Sequence, residues 1–212
     1  MILKDNLDTR RHAAKLIAAG GIVAFRTDTF YGLGANPFDE RALSSLSELK
    51  RREGKPILVI ISDPEEAERF IVDKSSVFET VAARHWPGAL TLVMPARAEI
   101  SALLTAGTKT IGVRLPFDEP VREFVRACGG ALTATSANLP NEPPARTALE
   151  VARSFPHDLS LIVDGGDARV DQPSTVLDVS RRPPRLIREG VVSRRALVET
   201  LNLIGEELED QQ

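Results

Sequence analysis

The chain has 212 residues, of which 42% are hydrophobic, and this length suits one large domain or two small ones. Its formal net charge of −3 and pI near 5.7 argue against a broad electrostatic surface for nucleic acid, although they allow a local basic pocket. The single cysteine, Cys128, excludes a disulfide framework and a cysteine-based metal cluster.

The N-terminal stretch MILKDNLDTRRHAAKL carries charges where a signal peptide requires an apolar core. No apolar run in the chain approaches the ~20 residues of a membrane-spanning helix. Together with the single cysteine, these features lead us to expect a protein of the reducing cytoplasm that makes no contact with a membrane.

Helical and strand patterns alternate along the chain, which predicts an α/β fold. The first helix is expected over residues 9–19, before Gly20-Gly21, and the apolar segment IVAF follows it as a strand. Asp39 is expected to cap the second helix, whose apolar residues recur at spacings of three and four. The continuous apolar run PILVII predicts a strand buried on both faces.

The middle of the chain continues the alternation. Asp63, Pro64 and Glu66 have the order of an N-cap, a first-turn proline and a third-position glutamate, which predicts a helix start. Further helices are expected over residues 76–85 and 119–128. Strands are predicted at LTLVM, IGVRL and ALTAT.

The last part of the chain has three predicted strands in close succession, SLIVD, STVLDV and RLIRE, which favours a mixed sheet. Thr147 and Glu150 predict a capping box, Ser193 is expected to cap the final helix, and EELEDQQ is expected to be a solvated tail. The only strong loop, NLPNEPPA, is followed at once by a capped helix. We therefore expect a single domain over residues 1–212, with its core at about 9–205.

Familiar nucleotide, metal and hydrolase signatures are missing from the sequence. It contains no G-x-x-x-x-G-K-[ST] loop and no G-x-S-x-G elbow, and GLGANP lacks the third glycine of a dinucleotide-binding loop. The histidines, His12, His85 and His157, do not have metal-ligand spacing. The sequence therefore predicts neither a conventional triad nor a metal site.

Polar side chains instead cluster at the predicted strand ends, where ligands collect in open α/β sheets. The clusters are Thr27-Asp28-Thr29 with Tyr31, Lys50-Arg51-Arg52 with Lys55, Arg114, Thr135-Ser136-Ala137-Asn138, Ser174-Thr175 and Arg188. Cations combined with hydroxyl and amide donors suit a polyanion such as a triphosphate.

Each cluster taken alone also has a purely structural explanation. Residues 50–52 would complement a helix dipole, and residues 27–29 and 136–138 would form ordinary turns. Arg114 and Arg188 would make surface ion pairs. No single cluster decides between the structural and the functional interpretation.

Taken in order, these segments resemble the threonylcarbamoyl-AMP synthase family, whose shared unit is the YrdC-like domain. The matching stretches run from about residue 20 to 192 and are TDTFYGLGANPFD, LKRREGKPILVII, WPGALTLVMPA, IGVRLP, ALTATSAN, STVLDVS and LIREG. The resemblance, to the short single-domain form, implies an α/β domain with a curved, twisted sheet, mixed parallel and antiparallel, around a basic cavity.

The resemblance also implies a reaction. L-threonine, bicarbonate or CO2, and ATP would give threonylcarbamoyl-AMP and pyrophosphate, with Mg2+ accompanying the triphosphate. A partner, the threonylcarbamoyl transferase, would then modify tRNA, and a contact with RNA is part of this expectation.

Site residues follow from the same resemblance. Lys50 and Arg52 match a K-x-R pair and are expected to be catalytic, while Ser136 and Asn138 match an S-x-N pair. The expected nucleotide-binding residues are Lys50, Arg52, Lys55, Thr135, Ser136, Asn138, Ser174 and Arg188. The expected threonine-binding residues are Thr27, Thr29, Tyr31 and Arg114, and no metal held by the protein is expected.

Three departures from the family pattern leave other interpretations open. Arg26 and Glu53 stand where the family usually has proline, and the segment before Pro56 is about one residue short. One alternative is a YrdC-like paralogue that binds RNA or assists ribosome maturation without this activity, although the acidic pI counts against broad phosphate-backbone binding. Another is a carbamoyl-phosphate-handling domain of hydrogenase maturation, which normally accompanies acylphosphatase and zinc-finger parts.

Overall fold

The computed structural model describes residues 1–51 and 54–209. Within these ranges the α-helices are α1 (Leu7–Ala18), α2 (Glu40–Leu49), α3 (Ser76–His85), α4 (Ala102–Thr105), α5 (Glu119–Ala127), α6 (Ala148–Ser154) and α7 (Arg194–Asn202). The strands are β1 (Ile2–Lys4), β2 (Val23–Arg26), β3 (Tyr31–Gly34), β4 (Val59–Ile61), β5 (Leu90–Pro95), β6 (Thr110–Arg114), β7 (Ala131–Thr133), β8 (Thr135–Ser136), β9 (Leu161–Asp164), β10 (Thr175–Asp178) and β11 (Arg185–Arg188). Among the helices in these ranges, none combines the length and the apolar character needed to cross a membrane.

The strands form two mixed sheets. The first has the order β1-β9-β2-β3-β8, in which β1, β9 and β2 are parallel and the remaining pairs are antiparallel. The second has the order β11-β10-β5-β6-β4-β7, in which parallel and antiparallel pairs alternate. The predicted mixed α/β fold is confirmed, but its strands are divided between two sheets where one was expected.

The chain passes from one sheet to the other within residues 131–136. β7 pairs with β4 in the second sheet, and β8 pairs with β3 in the first. Thr133 is fully buried, donates its N–H to the oxygen of Ala35 at 3.1 Å and accepts the Ala35 N–H on its hydroxyl at 2.8 Å. The segment ALTAT was predicted as one strand. A break at Ala134 allows it to serve both sheets, as strands do at sheet corners.

Three short elements were missed in the sequence: β1, α4 and β3. The third, YGLG, contains two glycines and was not predicted as a strand. A Cβ atom at Gly34 would lie 2.7 Å from the ring of Phe25, so the strand needs glycine where that ring approaches its backbone. The pairing of β3 with β2 makes Thr27-Asp28-Thr29-Phe30 the connecting loop of a hairpin.

The predicted helix caps are mostly confirmed. The Asp39 side chain accepts from the N–H groups of Arg41 and Ala42, Thr147 and Glu150 form a complete capping box, and Ser193 caps α7. Asp63 is the exception, because it makes no cap hydrogen bond and the element that follows is a 3-10 helix, Pro64–Arg69. The Asp63 carboxylate accepts instead from Arg126 on α5, at 2.7 and 3.0 Å.

Two buried apolar clusters support the sheets. The larger joins both sheets to α2, α3, α6 and α7. The smaller packs α1 and α5 against strands of both sheets, and within it the rings of Phe25 and Phe124 stack at a centroid distance of 4.9 Å. Since burial of apolar surface is the main stabilising contribution, at roughly 25 cal/mol per Å2, both clusters help to hold the two sheets together.

Candidate active site

A cavity of about 170 Å3 lies where the two sheets meet, and most of the predicted site residues surround it. The predicted residues that line it are Thr27, Thr29, Tyr31, Arg114, Thr135, Ser136, Ser174 and Arg188. They come from the β2–β3 loop, the start of β3, the ends of β6 and β11, the sheet crossing at β8 and the approach to β10. The cavity is small beside the ~300–1,000 Å3 of typical ligand pockets, so a larger ligand would extend out of its mouth.

Of the remaining predicted residues, Lys50, Lys55 and Asn138 lie within the described ranges, and none of these three lines the cavity. Lys50 is buried and its ammonium donates to the oxygen of Ser136 at 2.7 Å, to Asn138 Oδ1 at 3.0 Å and to the backbone oxygen of Asn138. Lys50 and Asn138 therefore stand behind the Ser136 wall of the cavity. Lys55 is exposed and lies outside the lining, whereas Arg52 falls outside the described residues.

The β2–β3 loop is an ordered turn. Thr27 donates its N–H to the oxygen of Phe30 at 3.1 Å, and its hydroxyl donates to the same oxygen at 2.7 Å. That hydroxyl also accepts the N–H of Thr29 at 3.1 Å. Residues 27–29 therefore form the ordinary turn that the sequence offered as an alternative to a binding site. The same turn places Thr29 in the lining of the cavity.

Arg114 is buried beside this loop, with only 3% of its surface exposed. Its Nη1 lies 3.2 Å from Asp28 Oδ1 and donates to the hydroxyl of Thr29 at 3.3 Å. Its Nε has no hydrogen-bond partner among the described residues. Asp28 was included in the first polar cluster of the sequence but was given no role in the site. It is the counter-ion of Arg114, and its place between two predicted threonine-binding residues was the available signal.

The charge of the cavity is therefore moderate. Two arginines in the described lining, Arg114 and Arg188, face this space, and Asp28 offsets the charge of the first. The expectation of a basic cavity is not confirmed by these residues. The same pairing rules out, for Arg114, the exposed surface ion pair that the sequence allowed, since both side chains of the pair are at most 5% exposed.

Arg188 ends β11, in the same sheet as Arg114, and is anchored to Ser174 just before β10. Although the residue is exposed overall, its guanidinium donates to the backbone oxygen of Ser174 at 2.8 and 3.2 Å and to the Ser174 hydroxyl at 3.3 Å. Partial burial, and then the positive charge of Arg114, lower the pKa of Arg188 from its usual value. An anion placed between the two guanidiniums would relieve this repulsion.

Tyr31 is fully buried, and its hydroxyl is used inside the protein. The hydroxyl donates to the oxygen of Gly166 at 2.8 Å and lies 3.2 Å from Asp164 Oδ1. Burial and the Asp164 carboxylate raise the pKa of Tyr31, so the phenol stays neutral over the physiological range. Tyr31 therefore shapes the cavity without offering its hydroxyl to a ligand.

Comparison with known proteins gives this geometry its context. The model of the Sua5/YciO/YrdC family, described as telomere recombination, matches residues 15–190. The threonylcarbamoyl-AMP synthase of Pyrococcus abyssi (strain GE5 / Orsay) is 36% identical over 197 residues, which cover 92% of this chain and 57% of that protein. The threonylcarbamoyl-AMP synthase of Idiomarina loihiensis is 36% identical over 161 residues, which cover 74% of this chain and 87% of that protein.

A solved structure agrees with these sequence matches. The structure of Pyrococcus abyssi Sua5 complexed with L-threonine superposes with a TM-score of 0.90 at 33% identity, and the match covers 99% of this chain and 62% of that one. The chain thus spans only 57% to 62% of the length of the Pyrococcus proteins that it matches. Because the family model covers most of the sequence and the fold agrees throughout, the chain belongs to the Sua5/YciO/YrdC family.

Proposed function

We propose that this protein is an L-threonylcarbamoyladenylate synthase, a nucleotidyltransferase that makes threonylcarbamoyl-AMP and pyrophosphate from L-threonine, bicarbonate or CO2, and ATP. The observation that carries the proposal is the convergence of Thr29, Arg114, Ser136 and Arg188, from both sheets, on one cavity. Two relatives that bear the name of this synthase support it, as does a family structure complexed with L-threonine.

The threonine subsite in this proposal lies on the Arg114 side of the cavity. Arg114 Nε is buried without a partner among the described residues, and it would donate to the carboxylate of the amino acid. The Thr29 hydroxyl, already within 3.3 Å of Arg114, would add a second polar contact, while Thr27 and Tyr31 hold the loop in shape. Asp28 keeps the guanidinium in place by pairing with its Nη1.

The nucleotide subsite would use the lining around Ser136 and Ser174. Its donors would be the hydroxyls of Thr135, Ser136 and Ser174 and the guanidinium of Arg188. Asn138, whose amide donates to the oxygen of Glu142, would support them from behind Ser136. Lys50 would act from behind Ser136, because its ammonium holds the oxygens of this segment while its charge remains close to bound phosphates. Lys55 and Arg52 complete the proposed set, and with Lys50 they come from the segment that follows α2.

The proposed reaction has two steps. The amine of threonine attacks the carbon of CO2 with loss of a proton, or of bicarbonate with loss of water, and a C–N bond forms to give an N-carboxylate. An oxygen of this carboxylate attacks the α-phosphorus of ATP, and the bond to pyrophosphate breaks. The protein must hold two anions against their mutual repulsion, and fixed positive charges with hydroxyl donors do so by placement and charge stabilisation.

Mg2+ would enter with the triphosphate and screen its charge. The donors around the cavity are mainly hydroxyls and guanidiniums, and among the described residues no cluster of His, Cys, Asp or Glu has the arrangement of a metal site. Since Asp28 is committed to Arg114, these residues do not fit a divalent cation held by the protein itself, and the steps above are not routed through one.

The biological setting follows from the proposed product. The adenylate would pass to the threonylcarbamoyl transferase that modifies tRNA, with a contact between this protein and RNA as part of the transfer. We place the reaction in the cytoplasm, which agrees with the single cysteine of the chain.

One assay tests the proposal directly. The protein is incubated with ATP, L-threonine and labelled bicarbonate, and the labelled adenylate is sought by mass spectrometry while pyrophosphate is measured. We expect turnover that depends on both threonine and bicarbonate. Equal turnover with serine or with no amino acid would contradict the proposal, and tight, salt-sensitive RNA binding without turnover would favour the RNA-binding paralogue.

A further inference from the structure

Two ion pairs connect residues 26–30, which are the end of β2 and the β2–β3 loop, to residues 114–118, which run from the end of β6 to the start of α5. Arg26, the last residue of β2, places Nη2 at 2.6 Å from Asp118 Oδ2. Asp28, within the loop, places Oδ1 at 3.2 Å from Arg114 Nη1. Each segment supplies one cation and one anion, and we call Arg26–Asp118 and Asp28–Arg114 the crossed ion pairs. The first of them has no part in the reaction proposed above.

The Arg26–Asp118 pair is deeply buried for an ion pair, with side chains only 6% and 10% exposed. Asp118 directly precedes α5, yet its carboxylate makes no cap hydrogen bond to that helix. It is directed to Arg26 instead, with the exposed Arg169 at 4.0 Å. Because an acidic residue at this position normally caps its own helix, its orientation indicates that the contact with Arg26 is the favoured one.

The pair acts at the base of the loop. In the antiparallel register of β2 and β3, Arg26 lies opposite Tyr31, so these two residues close the hairpin. On the far side, the N–H of Phe117 donates to Asp28 Oδ2 at 3.4 Å, one residue before Asp118. The segment between β6 and α5 therefore contacts the hairpin at its base, through Asp118 and Arg26, and within the loop, through Phe117 and Asp28.

The neighbouring backbone accommodates Arg26 closely. A Cβ atom added at Gly165 would lie 3.1 Å from both Cβ and Nε of Arg26, so the glycine leaves room for the side chain to lie against the backbone. Gly166, the next residue, accepts the hydroxyl of Tyr31. Arg26 is thus confined between the hairpin, residues 164–166 and the start of α5.

From this arrangement we propose that the Arg26–Asp118 ion pair is a positioning device for amino-acid binding. It holds the β2–β3 loop so that the Thr29 hydroxyl stays within reach of Arg114, and Arg26 itself touches no substrate. The kinetic part of this inference rests on the proposed function, whereas the ordering of the loop does not.

The test uses the whole chain and the substitution Arg26→Met, which keeps the length of the side chain and removes its charge. We expect the KM for L-threonine to rise about tenfold while the KM for ATP changes by less than about twofold, because misplacement is confined to one wall of the cavity. Hydrogen exchange at the amides of Thr27 and Thr29 should become faster. Arg26→Lys should restore part of the threonine affinity, since it keeps the charge.

A double variant separates positioning from stability. Replacing one partner of a buried ion pair leaves the other charge uncompensated, whereas replacing both is often nearly neutral. Arg26→Met combined with Asp118→Asn should therefore unfold at higher urea concentration than Arg26→Met alone, while its KM for threonine remains raised. If threonine affinity returned together with stability, the pair would be structural only and the proposal would be wrong.

The matched control is Arg126→Met, which removes an exposed Arg–Asp contact at the other end of α5. It should leave both KM values and the loop amides unchanged. Unchanged exchange and unchanged KM in Arg26→Met would overturn the inference, as would equal increases in the two KM values. Should the unmodified protein show no threonine-dependent turnover, the proposed function fails, and the exchange rates alone decide whether the pair orders the loop.

Discussion

The ammonium of Lys50 lies 2.7 Å from the backbone oxygen of Ser136, which is 86 positions further along the chain. It also contacts both oxygens of Asn138, and the Ser136 hydroxyl donates to Asn138 Oδ1 at 2.6 Å. The two residue pairs that the sequence singled out separately thus form one hydrogen-bonded unit. Its cation organises the segment that would meet the nucleotide.

Replacing Lys50 by methionine is expected to reduce pyrophosphate release at least tenfold. The substitution removes a buried donor from three oxygens, and contacts made by charged groups are worth roughly 1.5–3 kcal/mol each. Steady-state pyrophosphate release at saturating threonine measures the effect.

Lys15→Met is the control for Lys50→Met, because Lys15 is exposed in the last turn of α1 and shares the position of Lys50 near a helix C-terminus. It should remain as active as the unmodified protein. Full activity in Lys50→Met would show that the ammonium has no role in the reaction.

Tyr31→Phe is expected to lower the free energy of unfolding by about 1 kcal/mol, the usual contribution of one internal hydrogen bond. The lost hydroxyl leaves the oxygen of Gly166 without this donor and removes a neighbour of Asp164. Urea denaturation measures the change. A large increase in the KM for threonine with unchanged stability would mean that the hydroxyl binds substrate, contrary to its position here.

Arg114 and Arg188 should affect different substrates. Lysine keeps the charge of arginine but not its planar set of donors, so Arg114→Lys is expected to raise the KM for threonine about tenfold. Arg188→Lys should instead raise the KM for ATP, because Arg188 is bonded to Ser174 in the proposed nucleotide subsite. Each variant is the control for the other in a two-substrate kinetic assay, and identical profiles would contradict the assignment of separate subsites.

His85 makes stability depend on pH. Its Nε2 lies 2.8 Å from the hydroxyl of Thr200, and burial, with a smaller effect of the Arg84 charge, lowers its pKa below the usual 6.5. The unfolded chain therefore binds a proton at higher pH than the folded protein does. The contribution of His85 is complete above the unfolded pKa and is lost as the pH falls from there towards the folded pKa.

The urea concentration at the unfolding midpoint is therefore expected to decrease as the pH is lowered from about 7.5 to about 5.5. The substitution His85→Gln should make this decrease smaller. His12→Gln serves as the control, because it removes an exposed histidine of α1. An unaltered pH dependence in His85→Gln would show that another group causes it.

Local signals in the sequence predicted much of the fold. The caps at Asp39, Ser193 and Thr147 were identified because a cap depends on residues within one helical turn. The strand β3 was missed because its two glycines are typical of loops, and the need for Gly34 comes from Phe25 on the partner strand. The division into two sheets depends on pairing across the break at Ala134, which no local pattern specifies.

The candidate site was predictable to the same extent. Polar residues at strand ends indicated which segments would converge, and eight of the predicted residues line one cavity. The ion pairs around the cavity were not predictable from the sequence. Arg26, for example, pairs with Asp118, which is 92 positions away along the chain. Arg26 was noted in the sequence only as a departure from the family pattern, and only the folded arrangement shows that it and Asp118 are buried together.

The sheet crossing at residues 131–136 limits how this protein can admit its ligands. One short stretch supplies an edge strand to each sheet, and Thr133 is bonded to Ala35 through both its backbone and its side chain. The two sheets are consequently tied together beside the cavity, and we expect them to move little relative to one another when ligands bind. Entry of substrates and departure of the adenylate should therefore proceed by rotation of side chains and displacement of residues 138–145, within a framework that is already assembled before anything binds.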